Sequence, residues 1–363
     1  MSIRIAAPAR TLLLVVLVAT TGCLFRSPQP APTPTLKVGV VFDIGGRGDL
    51  AFNDMAHAGL GRAQKEFGAR LETQEVEPSP GDKSREELLR KLAAGGFGLV
   101  FGIGDAFTAS LRRVAAESPG TRFGLVDGVV PDLGPKDNIT CLQFREQEGS
   151  FLAGAAAALK SRTGMIGFLG RVKTPRSEAV EIAYTAGAKY VRPGTVVLSD
   201  YVEAEAGAGA GALHDPVRGK QLALAQYERG VDVIYQVAGD AGIGVFDAAV
   251  AKRMMAIGSG ADQALSARDD QRSRLLTSVV KRVDVAVYDT VKAFVEGSLF
   301  GGCRSFGLAE GGVGYAENDF NKHLIADIKP MLEELRIGII GGRIAVPATR
   351  AELDTLLRTR QRR

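Results

Sequence analysis

From Leu36 onward the chain repeats one pattern: a short apolar run, a turn, then a longer amphipathic stretch. Val38 to Phe42 precedes Phe52 to Phe67, Leu71 to Val76 precedes Ser84 to Ala94, Leu99 to Ile103 precedes Ala106 to Ser118, and Phe123 to Val126 follows. The apolar runs read as strands and the amphipathic stretches as helices. Alternation of this kind argues for a parallel sheet with right-handed crossovers. The pattern restarts after Ile139, with helices over Phe151 to Lys160, Ser177 to Gly187 and Arg218 to Arg229. Strands of this second half fall at Met165 to Leu169, Thr195 to Tyr201 and Val231 to Tyr235. Further strands are expected near Met254 to Gly258 and Leu275 to Val279, then a helix from Val283 to Glu296 and a Gly-rich return crossing from Gly297 to Gly314. The fold class is α/β, in two similar lobes whose loops surround one cleft.

Size and charge fit that division. A chain of 363 residues with 45% hydrophobic content can bury more than one core. The formal charge is +4, from 45 basic and 41 acidic residues, and Arg4, Arg10 and the tail Arg358, Arg360, Arg362 and Arg363 supply much of the excess. The body is nearly neutral and has no clustered basic face, so no nucleic-acid partner is expected. A monomer is expected.

The first 22 residues read as a signal peptide: Arg4 and Arg10, an apolar run from Leu12 to Ala19, then small residues before Cys23. The apolar run is too short to span a bilayer. Gly22-Cys23 resembles a bacterial lipobox, although Thr20 stands where Leu is most common. Cleavage before Cys23 would leave it as a lipidated first residue, the chain's membrane anchor; ordinary secretion with an incidental Cys23 is the alternative. Residues 23–35, with Pro28, Pro30, Pro32 and Pro34, form an extended tether. Export permits a disulfide between Cys141 and Cys303, and two separate buried thiols fit equally.

Ligand chemistry concentrates between Lys37 and Gly59. There a strand runs into a loop broken by Gly45, Gly46 and Gly48 and then into a helix, with Asp43, Asp49, Phe52, Asn53 and Asp54 close together. Asp49 and Asn53 are candidates to cap that helix. Open α/β sheets bind ligands at such carboxyl ends.

Several spaced segments carry a resemblance along essentially the whole mature chain. They are Asp43-Ile-Gly-Gly-Arg-Gly-Asp49-Leu-Ala-Phe52-Asn53, Phe123-Gly-Leu-Val-Asp127-Gly128, Glu148-Gly-Ser-Phe-Leu-Ala-Gly154, Asp215-Pro-Val-Arg-Gly-Lys220, Tyr235 to Gly244 and Thr277-Ser278-Val-Val-Lys281. Together they resemble the basic membrane protein family, lipoprotein solute-binding components of ABC importers, and in particular its purine nucleoside-binding members. The resemblance implies the type I periplasmic-binding-protein fold, two Rossmann-like lobes with a hinge and an interlobe cleft that closes on its ligand. The lobes are then expected at 36–140 plus 262–303 and at 141–261 plus 304–363. The implied partners are a nucleoside-like small molecule, ABC permease subunits and, through the lipid, a membrane of the bacterial cell envelope.

The same resemblance implies roles for individual residues. Phe52 matches the aromatic that stacks on the base, Asn53 a base-edge hydrogen bonder, Asp43 and Asp127 strand-end carboxylates that accept from base nitrogens, and Lys281 a lysine that reaches the ribose. Where many relatives have a second stacking aromatic this chain has Leu213, and where they have a ribose-gripping aspartate it has Gly260, before Ala261-Asp262-Gln263. Asp240 and Asp105 occupy strand-end loops where relatives commonly carry small or apolar residues, so either can compensate. Arg171 and Lys173 replace neutral or acidic types, which leaves room for a more anionic ligand; solvated charges on the cleft rim are the alternative.

Enzymes and cofactors find little support. His57, His214 and His323 stand apart and form no metal pattern, no G-x-S-x-G elbow is present, and Gly239 to Gly244 lacks the spacing of a nucleotide loop. A pure binding protein without cofactor or metal is expected. A ligand-sensing lipoprotein that does not transport, or a nucleoside-processing enzyme, stands as the alternative.

Overall fold

Each apolar run becomes a strand of one of two six-stranded sheets in the computed structural model, which describes residues 35–49, 51–203 and 215–361. Cys23, the leader, the tether as far as Pro34, Leu213 and the Ala/Gly run before it lie outside the described residues. The first sheet contains β1 (Leu36–Val41), β2 (Leu71–Val76), β3 (Leu99–Ile103), β4 (Arg122–Val126), β5 (Ile139–Phe144) and, much later in the chain, β11 (Gly302–Phe306). The second contains β6 (Met165–Val172), β7 (Val196–Glu203), β8 (Val233–Val237), β9 (Met255–Gly260), β10 (Leu275–Lys281) and β12 (Val313–Tyr315).

The sheets share one topology. The orders are β11-β5-β4-β3-β1-β2 and β12-β10-β9-β8-β6-β7. Every neighbouring pair is parallel except β10 with β12. Each therefore has a switch point, between β1 and β3 and between β6 and β8, where loops diverge and a ligand can enter.

The helices cover both sheet faces. In the first lobe they are α1 (Phe52–Phe67), α2 (Asp82–Ala94) and α3 (Thr108–Glu117). Next come α4 (Glu146–Lys160), α5 (Pro175–Val191), α6 (Pro216–Glu228), α7 (Ile243–Lys252) and the short α8 (Asp269–Arg272). Then α9 (Val283–Val295) returns to pack on α1, and α10 (Lys322–Ile325), α11 (Lys329–Ile340) and α12 (Arg350–Gln361) follow. On β1, Val38 and Val40 point into one apolar cluster with Ala56 and Leu60 of α1, while Val41 points into another with Leu89 and Leu92 of α2. Burial on both faces explains the nearly continuous apolar runs. The first of these clusters continues through Phe144 to Phe151 of α4 and to Phe168 and Tyr235 of the second sheet, so Thr35–Arg363 is one unit.

Strand pairing corrects the expected lobe boundaries. A break at 140/141 cuts through β5, and a return at 262 assigns β10 to the first lobe, whereas β5 and β11 pair in the first sheet and β10 in the second. The chain crosses only after a strand is complete: at Arg145 between β5 and α4, at Arg282 between β10 and α9, and at Gly307 to Gly312 between β11 and β12. Apolar runs identify strands but carry no record of their partners, which is why the Gly-rich return also concealed β11 and β12.

The crossings are bonded to one another. Arg145 N donates to Phe306 O at 3.0 Å and Arg282 N to Gly312 O at 2.8 Å. The Arg145 guanidinium holds Glu148 and Glu310, each at 2.6 Å, and Glu148 in turn accepts from Leu308 N at 2.7 Å. Burial would raise the Glu310 carboxyl, but the Gly307 N–H and Arg145 outweigh it and hold it below its ordinary range.

Helices α4 and α5 meet backbone to backbone. A Cβ on Gly154 would lie 1.9 Å from Tyr184 O, and one on Gly187 1.8 Å from Phe151 O. Only glycine fits either position. Gly187→Leu should cost about 3 kcal/mol of unfolding free energy by urea denaturation, and an unchanged midpoint would show that the crossing can spread.

Candidate functional site

The loop after β1 is built by its own side chains. Asp49 caps α1 by accepting from Ala51 N at 2.9 Å, Asn53 N at 2.9 Å and Asp54 N at 3.1 Å. Asn53 closes the loop from the other side: its Oδ1 accepts from Asp43 N at 3.0 Å and its Nδ2 donates to Gly46 O at 2.9 Å. At 2% exposure, Asn53 is a loop-former. The expected contact of its amide with a base edge is not what this structure displays, because the backbone takes that amide first. Asp43 stays at the loop's entry, with Arg85 of α2 behind it at 3.5 Å, and that guanidinium is buried.

Across the cleft stands Lys281, the last residue of β10. Its ammonium lies 3.0 Å from Asp127, 3.4 Å from Glu146 and 4.6 Å from the centroid of the Phe52 ring. Only 9% of the residue is exposed, and so buried a cation is tolerable because both carboxylates and the ring face compensate its desolvation. Phe52 and Asp127 come from the first lobe and Lys281 from the second sheet, so this contact spans the cleft. Asp127 follows β4 with φ +62, a left-handed conformation that a short polar side chain tolerates better than most.

Arg176 completes the cluster. Its Nε donates to Glu146 Oε1 at 3.0 Å and its Nη2 bonds Asp127. A cation in the first turn of α5 opposes the helix dipole, so the two carboxylates offset a local penalty, while Glu146 in the first turn of α4 is favourably placed. Burial would lower the Arg176 guanidinium, but Glu146 and Asp127 hold it above its ordinary value. Two acids and two bases thus meet where the lobes face each other.

Beside them opens a cavity of about 450 Å³, lined by Asp105, Glu146, Arg171, Thr174, Val237 and Lys281 among others. Asp105 follows β3, Arg171 lies one residue before the end of β6 and Val237 ends β8, so its walls come from both switch points. A cavity of similar volume, lined by Lys160, Asp232 and Arg274, lies at the amino ends of the second sheet, away from these loops. Asp240 sits exposed on the turn after β8, and Val237 is the residue of that strand that lines the cavity. Gly260 ends β9 at φ +82 with open space where a Cβ would point. Gln263 accepts from Ser259 N and from Gln236, tying strand ends together, and Asp262 accepts from Asn318.

The structure therefore brings Phe52, Asp127 and Lys281 together, keeps Asp43 nearby and uses Asn53 as scaffold. Sequence reasoning missed Glu146, Arg176 and Arg85. Two of these had local signals: Thr174 and Pro175 mark a helix start that places Arg176 in its first turn, and the acidic residues before Phe151 mark an earlier start for α4. Arg85 had none, because its meeting with Asp43 depends on the pairing of β1 and β2. Among the described residues no cluster of metal-ligating side chains occurs, and no helix is long and apolar enough to cross a membrane.

Comparison with known proteins agrees with this geometry. Residues 36–350 match the profile of the Bmp family, described as "ABC transporter substrate-binding protein PnrA-like". An uncharacterised lipoprotein of Pyrococcus abyssi is 34% identical over 326 residues, covering 85% of this chain and 75% of that one. The ABC transporter nucleoside-binding protein BmpA of Lactococcus lactis is 31% identical over 328 residues, covering 86% and 89%. The crystal structure of an ABC transporter solute-binding protein from Aeropyrum pernix superposes with a TM-score of 0.66 at 27% identity, over 90% of this chain and 98% of that one. The two-sheet architecture is the type I periplasmic-binding-protein fold, and the chain belongs to the Bmp family of PnrA-like ABC transporter substrate-binding proteins.

Proposed function

We propose that this chain is the exported, lipid-anchored receptor of an ABC importer, working as a monomer that captures a nucleoside-like molecule between its lobes and delivers it to a permease. The observation that carries the reading is the meeting of Phe52, Asp127 and Lys281 across the cleft. An aromatic face beside a carboxylate and an ammonium suits a flat heterocycle with polar edges: the ring stacks on Phe52, Asp127 and Asp43 accept its N–H groups, and Lys281 donates to its substituent. Asn53 contributes by holding the Asp43 loop in place. Closure follows from these contacts being available together only when the lobes approach.

The polar half of the ligand is recognised differently from a plain ribose. Gly260 offers no carboxylate to sugar hydroxyls, whereas Arg171 lines the cavity with no carboxylate paired to it among the described residues. A substituent rich in acceptors, or anionic, fits that wall best. Cys23 would carry the anchor, and Cys23→Ser should abolish incorporation of labelled fatty acid.

Phe52→Ala should weaken binding about tenfold or more by calorimetry, since one stacked face is worth about 1 to 3 kcal/mol. The titrant is the small molecule that mass spectrometry identifies on release from the purified protein, and an unchanged Kd would remove the stacking role.

The bridge from Asp127 to Arg176 should also be measurable without ligand. A double-mutant cycle with Asp127→Asn and Arg176→Gln, read as unfolding free energy, should give a coupling of about 1 kcal/mol, because Asp127 is shielded while Arg176 is half exposed. Additive effects would show that the bridge does not join the lobes in solution.

A further inference from the structure

The two strands that lead into the first and third crossings each carry a cysteine. β11 is the edge strand of the first sheet and is held to it by a single ladder, in which Cys303 stands directly opposite Cys141 of β5. Paired residues on parallel strands project to the same face, and strands lie about 4.8 Å apart. That spacing falls within the Cα separations of about 4.4 to 6.8 Å that a disulfide spans. Both sulfurs also sit at one residue: Val130 N donates to Cys141 Sγ at 3.3 Å, and Cys303 Sγ lies 4.0 Å from Val130 O. Register and sulfur position are independent observations, and they agree.

We propose that Cys141 and Cys303 are a disulfide-forming pair that ties the edge strand β11 to β5 once the chain meets a disulfide oxidant, and so braces the frame from which two lobe crossings depart. The tie falls three pairs upstream of Phe306↔Phe144 in the same ladder, and Phe306 O accepts from Arg145 N at the crossing itself.

The exposure of the two residues sets the order of the chemistry. Cys303 is exposed and Cys141 is buried. The Cys303 thiolate attacks one sulfur of a small disulfide R–S–S–R, forming a mixed disulfide and releasing R–S⁻. Cys141 Sγ then attacks Cys303 Sγ and displaces the second R–S⁻, and the two thiol protons leave with the two released groups. The protein loses two electrons and the oxidant gains them. Burial pushes the Cys141 thiol up to about 11, so it holds too little thiolate to start the exchange, and its attack in the second step relies on being intramolecular. The bond closes a loop from residue 141 to residue 303 that includes β6 to β10, and a cross-link over so long a segment restricts the unfolded chain strongly.

The test uses the full chain. Reduced protein is equilibrated with oxidised glutathione, denatured in N-ethylmaleimide without reductant, digested and mapped by mass spectrometry. The expected product is one linked peptide joining Cys141 to Cys303, lighter than the two reduced peptides by two hydrogen atoms. Maleimide on both cysteines, or a lasting glutathione adduct on Cys303 with Cys141 alkylated, would overturn the pair. Bracing is read separately by melting. Reduction should lower the midpoint by about 5 °C, and Cys303→Ser should remove that response to reductant; coincident melting of the oxidised and reduced forms would overturn the brace. Because the glutathione arm is run on purified protein, it stands or falls independently of the proposed export.

Discussion

Arg145 ties the first and third lobe crossings to each other. Its backbone N–H binds the end of β11, and its guanidinium binds Glu148 at the start of α4 and Glu310 in the loop of the third crossing. One side chain thereby joins a strand end, a helix start and a return loop that are far apart in sequence. Such a node is short enough to bend at a few backbone torsions and firm enough to keep the two sets of strand ends aimed at each other.

Given that frame, the electrostatics of the cleft follow. Desolvating Lys281 is costly unless carboxylates accompany it, and Asp127 can accompany it only with the lobes close. Arg176 adds a second link to Asp127 from the same side. The lobe contact is thus made of the groups proposed to hold the ligand, and on that proposal ligand and interlobe ion pairs would compete for, or share, the same oxygens. On the proposed function, occupancy would be coupled to closure by local exchange of partners, with no need for a distant relay. The loop after β1 supports this by rigidity: Asp49 and Asn53 spend their hydrogen bonds on backbone, which leaves Phe52 with little freedom to turn away.

The strands and most helices were legible because their cause is local. Apolar runs buried on both faces and amphipathic stretches between them follow from nearest neighbours along the chain, and β1, β2 and β3 fall where the pattern places them. The start of α4 was less legible, since Glu146, Gln147 and Glu148 look like loop when read by polarity alone and become the first turn of a buried Ala-rich helix, where two carboxylates suit the helix dipole. Phe52, Asp127 and Lys281 were found as residues through family resemblance, but their meeting was not visible in spacing. Asn53 was legible as a residue of the loop but not in what it does there. An amide side chain beside a pocket loop can face ligand or backbone, and only the path of the loop decides which.

By itself, the sequence determined the class of architecture: parallel α/β layers, two similar halves, and a glycine-broken loop after the first strand. Tertiary structure alone decided which strands share a sheet, where the chain crosses between lobes, and that Arg145, Glu148 and Glu310 meet at the hinge. It also decided that Asp127, Glu146, Arg176 and Lys281 converge and that Cys141 faces Cys303. The physical reason is range. Periodicity and capping act over a few residues, whereas strand partners and ion pairs are chosen by burial and electrostatic compensation among groups more than a hundred positions apart, as in the 154-residue separation of Asp127 and Lys281.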